Sequence, residues 1–123
     1  MTTVLYVEDN ADNVILVSRI CEALGHTLLV ATNGLDGVAK AEAHRPNLIL
    51  LDINLPDLDG YDVAQQIRAS KNIRATPIIA VTANALKGDM DKALAAGCND
   101  YISKPVNIAE LRRKMAAFLP SKA

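Results

Sequence analysis

Residues 48–60 read Leu48-Ile49-Leu50-Leu51-Asp52-Ile53-Asn54-Leu55-Pro56-Asp57-Leu58-Asp59-Gly60. The first four are apolar with no polar residue between them, whereas a strand with one solvated face alternates the two kinds. Both faces of this strand must therefore be covered, as helices cover the two sides of a parallel sheet. The run ends abruptly in an acid and then in Pro, Asp and Gly, the residues of a turn. Working outward, similar runs recur at Val4 to Val7, Leu28 to Ala31 and Ile78 to Val81, with a weaker one at Tyr101-Ile102. Between them apolar residues repeat at three and four, as in Val14, Val17, Cys21, Leu24 and in Ile108, Leu111, Met115, Phe118, which is helical spacing. Asn10 or Asp9 can cap the first helix, Gly25 and Gly97 can end the first and fourth, and Pro46 and Pro77 precede strands three and four. Strand and helix alternate five times, predicting an α/β (βα)5 domain with right-handed crossovers and helices on both sides of one sheet.

Composition agrees with one domain over residues 1–123. The chain is 50% hydrophobic and 22% charged, enough for a core and against disorder. Its formal charge of -1 gives no overall field that recruits nucleic acid or an anionic membrane. Apolar runs of four or five residues fall far short of the roughly 20 that span a bilayer. Cys21 and Cys98 lie far apart in no metal-like spacing and no secretory leader is recognisable, so a soluble, cytoplasmic protein with free thiols is expected. The two cysteines read as small apolar fillers, Gly60 as a turn residue, and His26 and His44 as surface or loop residues.

Ligands of open parallel sheets sit outside the carboxyl ends of the strands. Strand one ends in Glu8-Asp9, strand three in Asp52 and strand four in Thr82, and strand five runs into Ser103-Lys104-Pro105. Any one such residue is most often a turn or cap residue. Four strands delivering acid, acid, hydroxyl and amine to one edge is not a core pattern. Carboxylates gathered there repel one another unless positive charge enters the cluster. Lys104 supplies one charge, and a hard divalent cation such as Mg2+ supplies the rest, since no His or thiolate is placed to favour a softer metal. A site of Mg2+, amine, hydroxyl and spare carboxylate suits phosphoryl transfer, with the carboxylate itself as the nucleophile.

These residues resemble the receiver domains of two-component response regulators, and the resemblance covers essentially the whole chain. Val7-Glu8-Asp9-Asn10 resembles the family's acidic pair, Asp52 to Gly60 its phosphoacceptor loop, and Val81-Thr82-Ala83 with Ser103-Lys104-Pro105 the rest of the set. The resemblance implies a flavodoxin-like three-layer sandwich whose five parallel strands run in the order 2-1-3-4-5. It implies that Asp52 accepts a phosphoryl group from a phosphohistidine, and that Glu8, Asp9, Asp52 and the carbonyl of Asn54 hold Mg2+. Thr82 and Lys104 would contact the phosphoryl oxygens, the Lys104–Pro105 bond would be cis, and Thr82 with Tyr101 would form the switch. Its signalling face would be the fourth helix, fifth strand and fifth helix, with Leu86, Lys87, Met90, Lys92, Val106, Asn107 and Arg112 as candidates for exposure. Small residues at Ala83 and Asn84 should leave the site open, and in the family the positions of Asn54 and Asn84 influence phosphoryl lifetime.

The function expected is a stand-alone signalling receiver that is not an enzyme. Its partners would be a histidine kinase or histidine phosphotransfer protein and a downstream protein, with no direct nucleic acid and no membrane. The loop after Thr82 resembles both single-domain DivK-type regulators and the receivers of hybrid histidine kinases, so a receiver excised from such a kinase is the alternative. A small Mg2+-dependent phosphohydrolase is disfavoured because Asn54 stands where a second acid would serve as general acid and the chain is too short for a substrate cap. A flavin carrier is disfavoured because Glu8-Asp9 would repel its phosphate and the chain has no Trp.

Overall fold

The computed structural model describes residues 2–83 and 87–119, apart from the side chains of Lys87 and Asp89. Ten elements alternate along it: β1 (Thr3–Val7), α1 (Ala11–Leu24), β2 (Thr27–Ala31), α2 (Gly34–His44), β3 (Leu48–Asp52), α3 (Gly60–Ala69), β4 (Ile78–Thr82), α4 (Lys87–Ala95), β5 (Asp100–Ser103) and α5 (Ile108–Phe118). The strands form one parallel sheet in the order β2-β1-β3-β4-β5. β3 and β4 are buried at every position, the burial that their unbroken apolar sequences require.

Strand alternation divides the core into two layers. Val4, Tyr6, Leu48, Leu50, Ile79, Val81 and Ile102 pack against Val17, Ile20 and Cys21 of α1 and Leu111 and Met115 of α5. Leu5, Val7, Ile49, Leu51, Ile78 and Ala80 pack against α2, α3 and α4 through Ala41, Val63, Ala64, Ile67, Ala93 and Ala96. Cys21 and Cys98 are buried in opposite layers, and burial pushes each thiol up to about 11. Ile108, placed by its spacing on the apolar stripe of α5, is 50% exposed. It opens the helix, one turn before Leu111 reaches the sheet. His44 is exposed at the end of α2, and His26 is half-buried between α1 and β2.

Helix ends carry their own instructions. Asn10, Asn33, Asp59 and Asn107 cap α1, α2, α3 and α5 through side-chain oxygens that accept backbone N–H groups. Gly25 ends α1 at φ 78 and Gly97 follows α4 at φ 109, both in the region that favours glycine. Gly60 departs from its expected role as a turn residue. It is the first residue of α3, and a Cβ there would lie 2.5 Å from Ile53 Cα and 2.7 Å from the Asp52 carbonyl oxygen. Its missing side chain lets α3 dock on the backbone at the end of β3.

At the other edge of the sheet, Arg68 donates to the carbonyls of Gly97, Arg74 and Thr76 and to Asn99 Oδ1, stitching the α3–β4 and α4–β5 connections together. Nothing in the local sequence distinguishes it from any other basic residue in the last turn of a helix.

Gly60→Ala should destabilise the fold by about 2 kcal/mol, because backbone rather than a flexible side chain blocks the added methyl. Gly88→Ala in α4, where among the described residues no atom beyond its chain neighbours and its own helix backbone lies within 4 Å of the added Cβ, should be neutral or stabilise by up to about 1 kcal/mol. Urea unfolding of the two variants checks the contrast.

Candidate functional site

β1 and β3 are neighbours at the centre of the sheet, so their carboxyl ends set acids side by side. Glu8 follows β1, Asp9 is exposed beside it, and Asp52 is the last residue of β3. Glu8 and Asp52 are almost completely buried, yet one carboxylate oxygen from each of Glu8, Asp9 and Asp52 lies within 4.8 Å of the others. Lys104 reaches in from the far side of β4. Its Nζ stands 3.1 Å from Glu8 Oε1 and 3.2 Å from Asp52 Oδ1, and the Lys104–Pro105 bond is cis. The Asn54 N–H also donates to Asp52 Oδ1, at 3.1 Å.

One half-buried ammonium does not neutralise three carboxylates. Burial, hydrogen bonding with Glu8 and the Glu8 charge push Asp52 up to about 7, against the opposing Asn54 N–H and Lys104. For Glu8 burial acts upward too, but hydrogen bonds with Asp52, Asn13 and Lys104 outweigh it and the net direction is down. Burial alone would lower Lys104; hydrogen bonding with Glu8 and the charges of Asp52 and Glu8 reverse this and raise it. Glu8 Oε2 is buried and has no hydrogen-bond partner among the described residues. A bare buried carboxylate oxygen is costly, and three oxygen ligands closing on one point fit a hard divalent cation.

Thr82 ends β4 and is buried one residue beyond Val81, the register partner of Asp52. Tyr101 is half-buried opposite Ala80, so alternation puts it on the same side of the sheet as Thr82. Lys114 of α5 holds Tyr101 from outside: its Nζ lies 4.7 Å from the ring centroid, donates to the Tyr101 carbonyl at 2.6 Å and pairs with Asp100 at 3.0 Å. Ala83 is exposed, whereas Asn84, Leu86 and the Lys87 side chain lie outside the described residues.

On the α4–β5–α5 face, Lys92 and Arg112 are exposed. Two other residues named there correct the expectation: Met90 is half-buried, and Val106 is half-buried because it packs against the α1/α5 core layer. Asn107 is exposed as expected, and its side chain caps α5.

Three residues of the neighbourhood escaped the sequence reasoning. Tyr6, fully buried in β1, donates its hydroxyl to Glu8 Oε1 at 3.0 Å, and Asn13 Nδ2 donates to the same oxygen at 2.8 Å. Asp57 accepts from the Gly34 and Leu35 N–H groups, tying the loop after Asp52 to the start of α2. The signal for Tyr6 was present: it is two residues before Glu8 and therefore on the same face of the strand. Asp57 gave none, since its partners are 22 and 23 residues away.

The family model of the response regulator receiver domain matches residues 4–116. The chain belongs to this family. The receiver is 38% identical to the polar-differentiation response regulator DivK of Brucella anthropi over 117 residues, covering 95% of each chain. It superposes with a TM-score of 0.88 on the receiver domain of the sensor histidine kinase PA1611 of Pseudomonas aeruginosa, at 43% identity over 95% of this chain and 96% of that one. That crystal structure holds a magnesium ion coordinated in its active-site cleft. A chain in the co-crystal of the Saccharomyces cerevisiae phosphotransfer protein Ypd1 with the receiver domain of Ssk1 is similar at 32% identity and a TM-score of 0.87, over 95% of this chain and 88% of that one. The flavodoxin-like fold and its strand order are those expected, and the receiver's role is phospho-accepting signalling. Among the described residues no helix is long and apolar enough to cross a membrane.

Because Asp52 is raised to about 7, the folded receiver holds a proton that the unfolded chain has lost above the ordinary carboxylate range. The stability that proton contributes is complete at low pH and lost as pH rises through about 7. Repulsion in the metal-free site is then greatest at pH 8, so saturating Mg2+ should raise Tm by a few degrees more at pH 8 than at pH 6, roughly. Thermal melts with and without Mg2+ measure this, and equal increments at the two pH values would contradict it.

Proposed function

We propose that Asp52 is the phosphoacceptor of this receiver. The reading is carried by a single observation: a buried carboxylate at a strand end that shares Lys104 with a second buried acid, 3.2 and 3.1 Å away, inside a trio of acids converging on one point. Glu8, Asp9, Asp52 and the Asn54 carbonyl would hold Mg2+, which when bound supplies positive charge for phosphoryl oxygens. An Asp52 carboxylate oxygen attacks phosphorus of a phosphohistidine; the P–O bond forms, the P–N bond breaks, and the electron pair leaves with the imidazole nitrogen. Lys104 offsets charge on the transferred group, and the Thr82 hydroxyl donates to one of its oxygens. Asn54 N–H and Lys104 both converge on Oδ1 and so fix the carboxylate against rotation before attack.

Transfer adds close to two negative charges and three strong acceptors. Thr82 is drawn toward them, and Tyr101, on the same side of the sheet, responds by turning inward and reshaping the α4–β5–α5 face that a downstream protein reads. A histidine kinase or phosphotransfer protein is the donor, in the cytoplasm, and neither nucleic acid nor membrane is a direct partner. The domain acts as a signal carrier rather than as a turnover enzyme, since residue 54 is Asn and offers no general acid for a phosphohydrolase.

With Mg2+ and acetyl phosphate, intact mass should show one phosphoryl adduct that is absent in Asp52→Asn; an adduct persisting in that variant would overturn the assignment. Lys104→Ala should bind Mg2+ at least as tightly as wild type, because a competing cation is gone. Its phosphorylation should be slower by roughly an order of magnitude or more, and its tyrosine fluorescence should lose the response to phosphorylation.

A further inference from the structure

We propose that Tyr6 is a positioning residue for the site cation: with Asn13 it clamps one oxygen of Glu8 so that the other is presented to the ion. The inference rests on the metal-holding role given above to Glu8. A carboxylate has two equivalent oxygens, and this structure treats them unequally. Glu8 Oε1 takes the Tyr6 hydroxyl at 3.0 Å, Asn13 Nδ2 at 2.8 Å and Lys104 Nζ at 3.1 Å. Oε2, equally buried, has no hydrogen-bond partner among the described residues, and Glu8 belongs to the trio of acids that closes on one point. Three donors on one oxygen fix the plane of the carboxylate and commit the second oxygen to whatever fills the site.

The cost of that arrangement falls on Tyr6. It is completely buried among Val4, Leu50, Val17 and their neighbours, where Phe would fill the same layer without a hydroxyl to satisfy. Its polar end is tolerated because strand alternation points it along the same face as Glu8, two residues on. Glu has one more rotatable bond than Asp, so a ligand of this length needs more restraint to stay in place. Tyr6 supplies restraint from below and Asn13, in the first turn of α1, from the side. Neither reaches the metal-binding point itself through any contact described, which makes them positioning residues.

Calorimetric titration with MgCl2 of wild type, Tyr6→Phe, Glu8→Asp and the double variant tests the proposal. Tyr6→Phe should weaken Mg2+ binding about three- to tenfold. In the Glu8→Asp background the shorter carboxylate lies out of reach of the phenol, so the same substitution should change affinity by less than about twofold. Asn13→Ala lies outside the core and should weaken binding in the same direction, which preserves the test if a strand variant fails to fold. Wild-type affinity in Tyr6→Phe, or an equal loss in both backgrounds, overturns the proposal, because Tyr6 would then act through the fold and not through Glu8. A wild-type chain that binds no Mg2+ while still gaining an Asp52 adduct overturns the clamp and leaves the phosphoacceptor standing. Loss of that adduct instead removes the functional reading beneath it.

Discussion

The structure depends on a charge imbalance kept in a dry place. Glu8 and Asp52 are buried at the ends of adjacent central strands, and among the described residues only the Lys104 ammonium is brought between them. Ions removed from water are costly unless paired, and one cation against two buried acids and an exposed third pairs them incompletely. Asp52 is consequently held well above the ordinary carboxylate range, and an oxygen of Glu8 has no hydrogen-bond partner among the described residues. A site with this deficit favours any group that adds positive charge.

Much of the remaining architecture keeps that imbalance in register. Gly60 lets α3 lie directly against the Ile53 and Asp52 backbone, while Asp57 ties the intervening loop to α2. Tyr6 and Asn13 hold Glu8 from beneath and beside it. On the other side of the sheet, Thr82 and Tyr101 share a face, and Lys114 grips Tyr101 through its ring and its carbonyl. Any rearrangement of Tyr101 must break or carry those contacts, an ion pair and a cation–π contact among them.

The fold was open to direct inspection because its signals are local. An unbroken apolar run such as Leu48 to Leu51 calls for a strand covered twice, and Asn10 before the first helical repeat states where α1 begins. The gathering of polar groups at the carboxyl edge was legible for the same reason, since acid, hydroxyl and amine each stand at or just past the end of a strand. Contacts between distant segments were not legible. Val106 and Met90 were expected to be exposed and are half-buried, and nothing in the sequence beside Arg68 points to the distant carbonyls it binds.

By itself, then, the sequence determined the alternation of strands and helices, the double burial of β3 and β4, and the kinds of chemical group collected at the carboxyl edge, because each is written in the periodicity of a few consecutive residues. Tertiary structure alone decided which oxygen of Glu8 is saturated and which is bare, how far Lys104 reaches, and that a tyrosine deep in the core serves an acid at the rim. Those outcomes turn on distances of about 3 Å between groups that the chain separates by anything from two residues to nearly a hundred, and hydrogen bonding discriminates at that scale whereas sequence spacing does not.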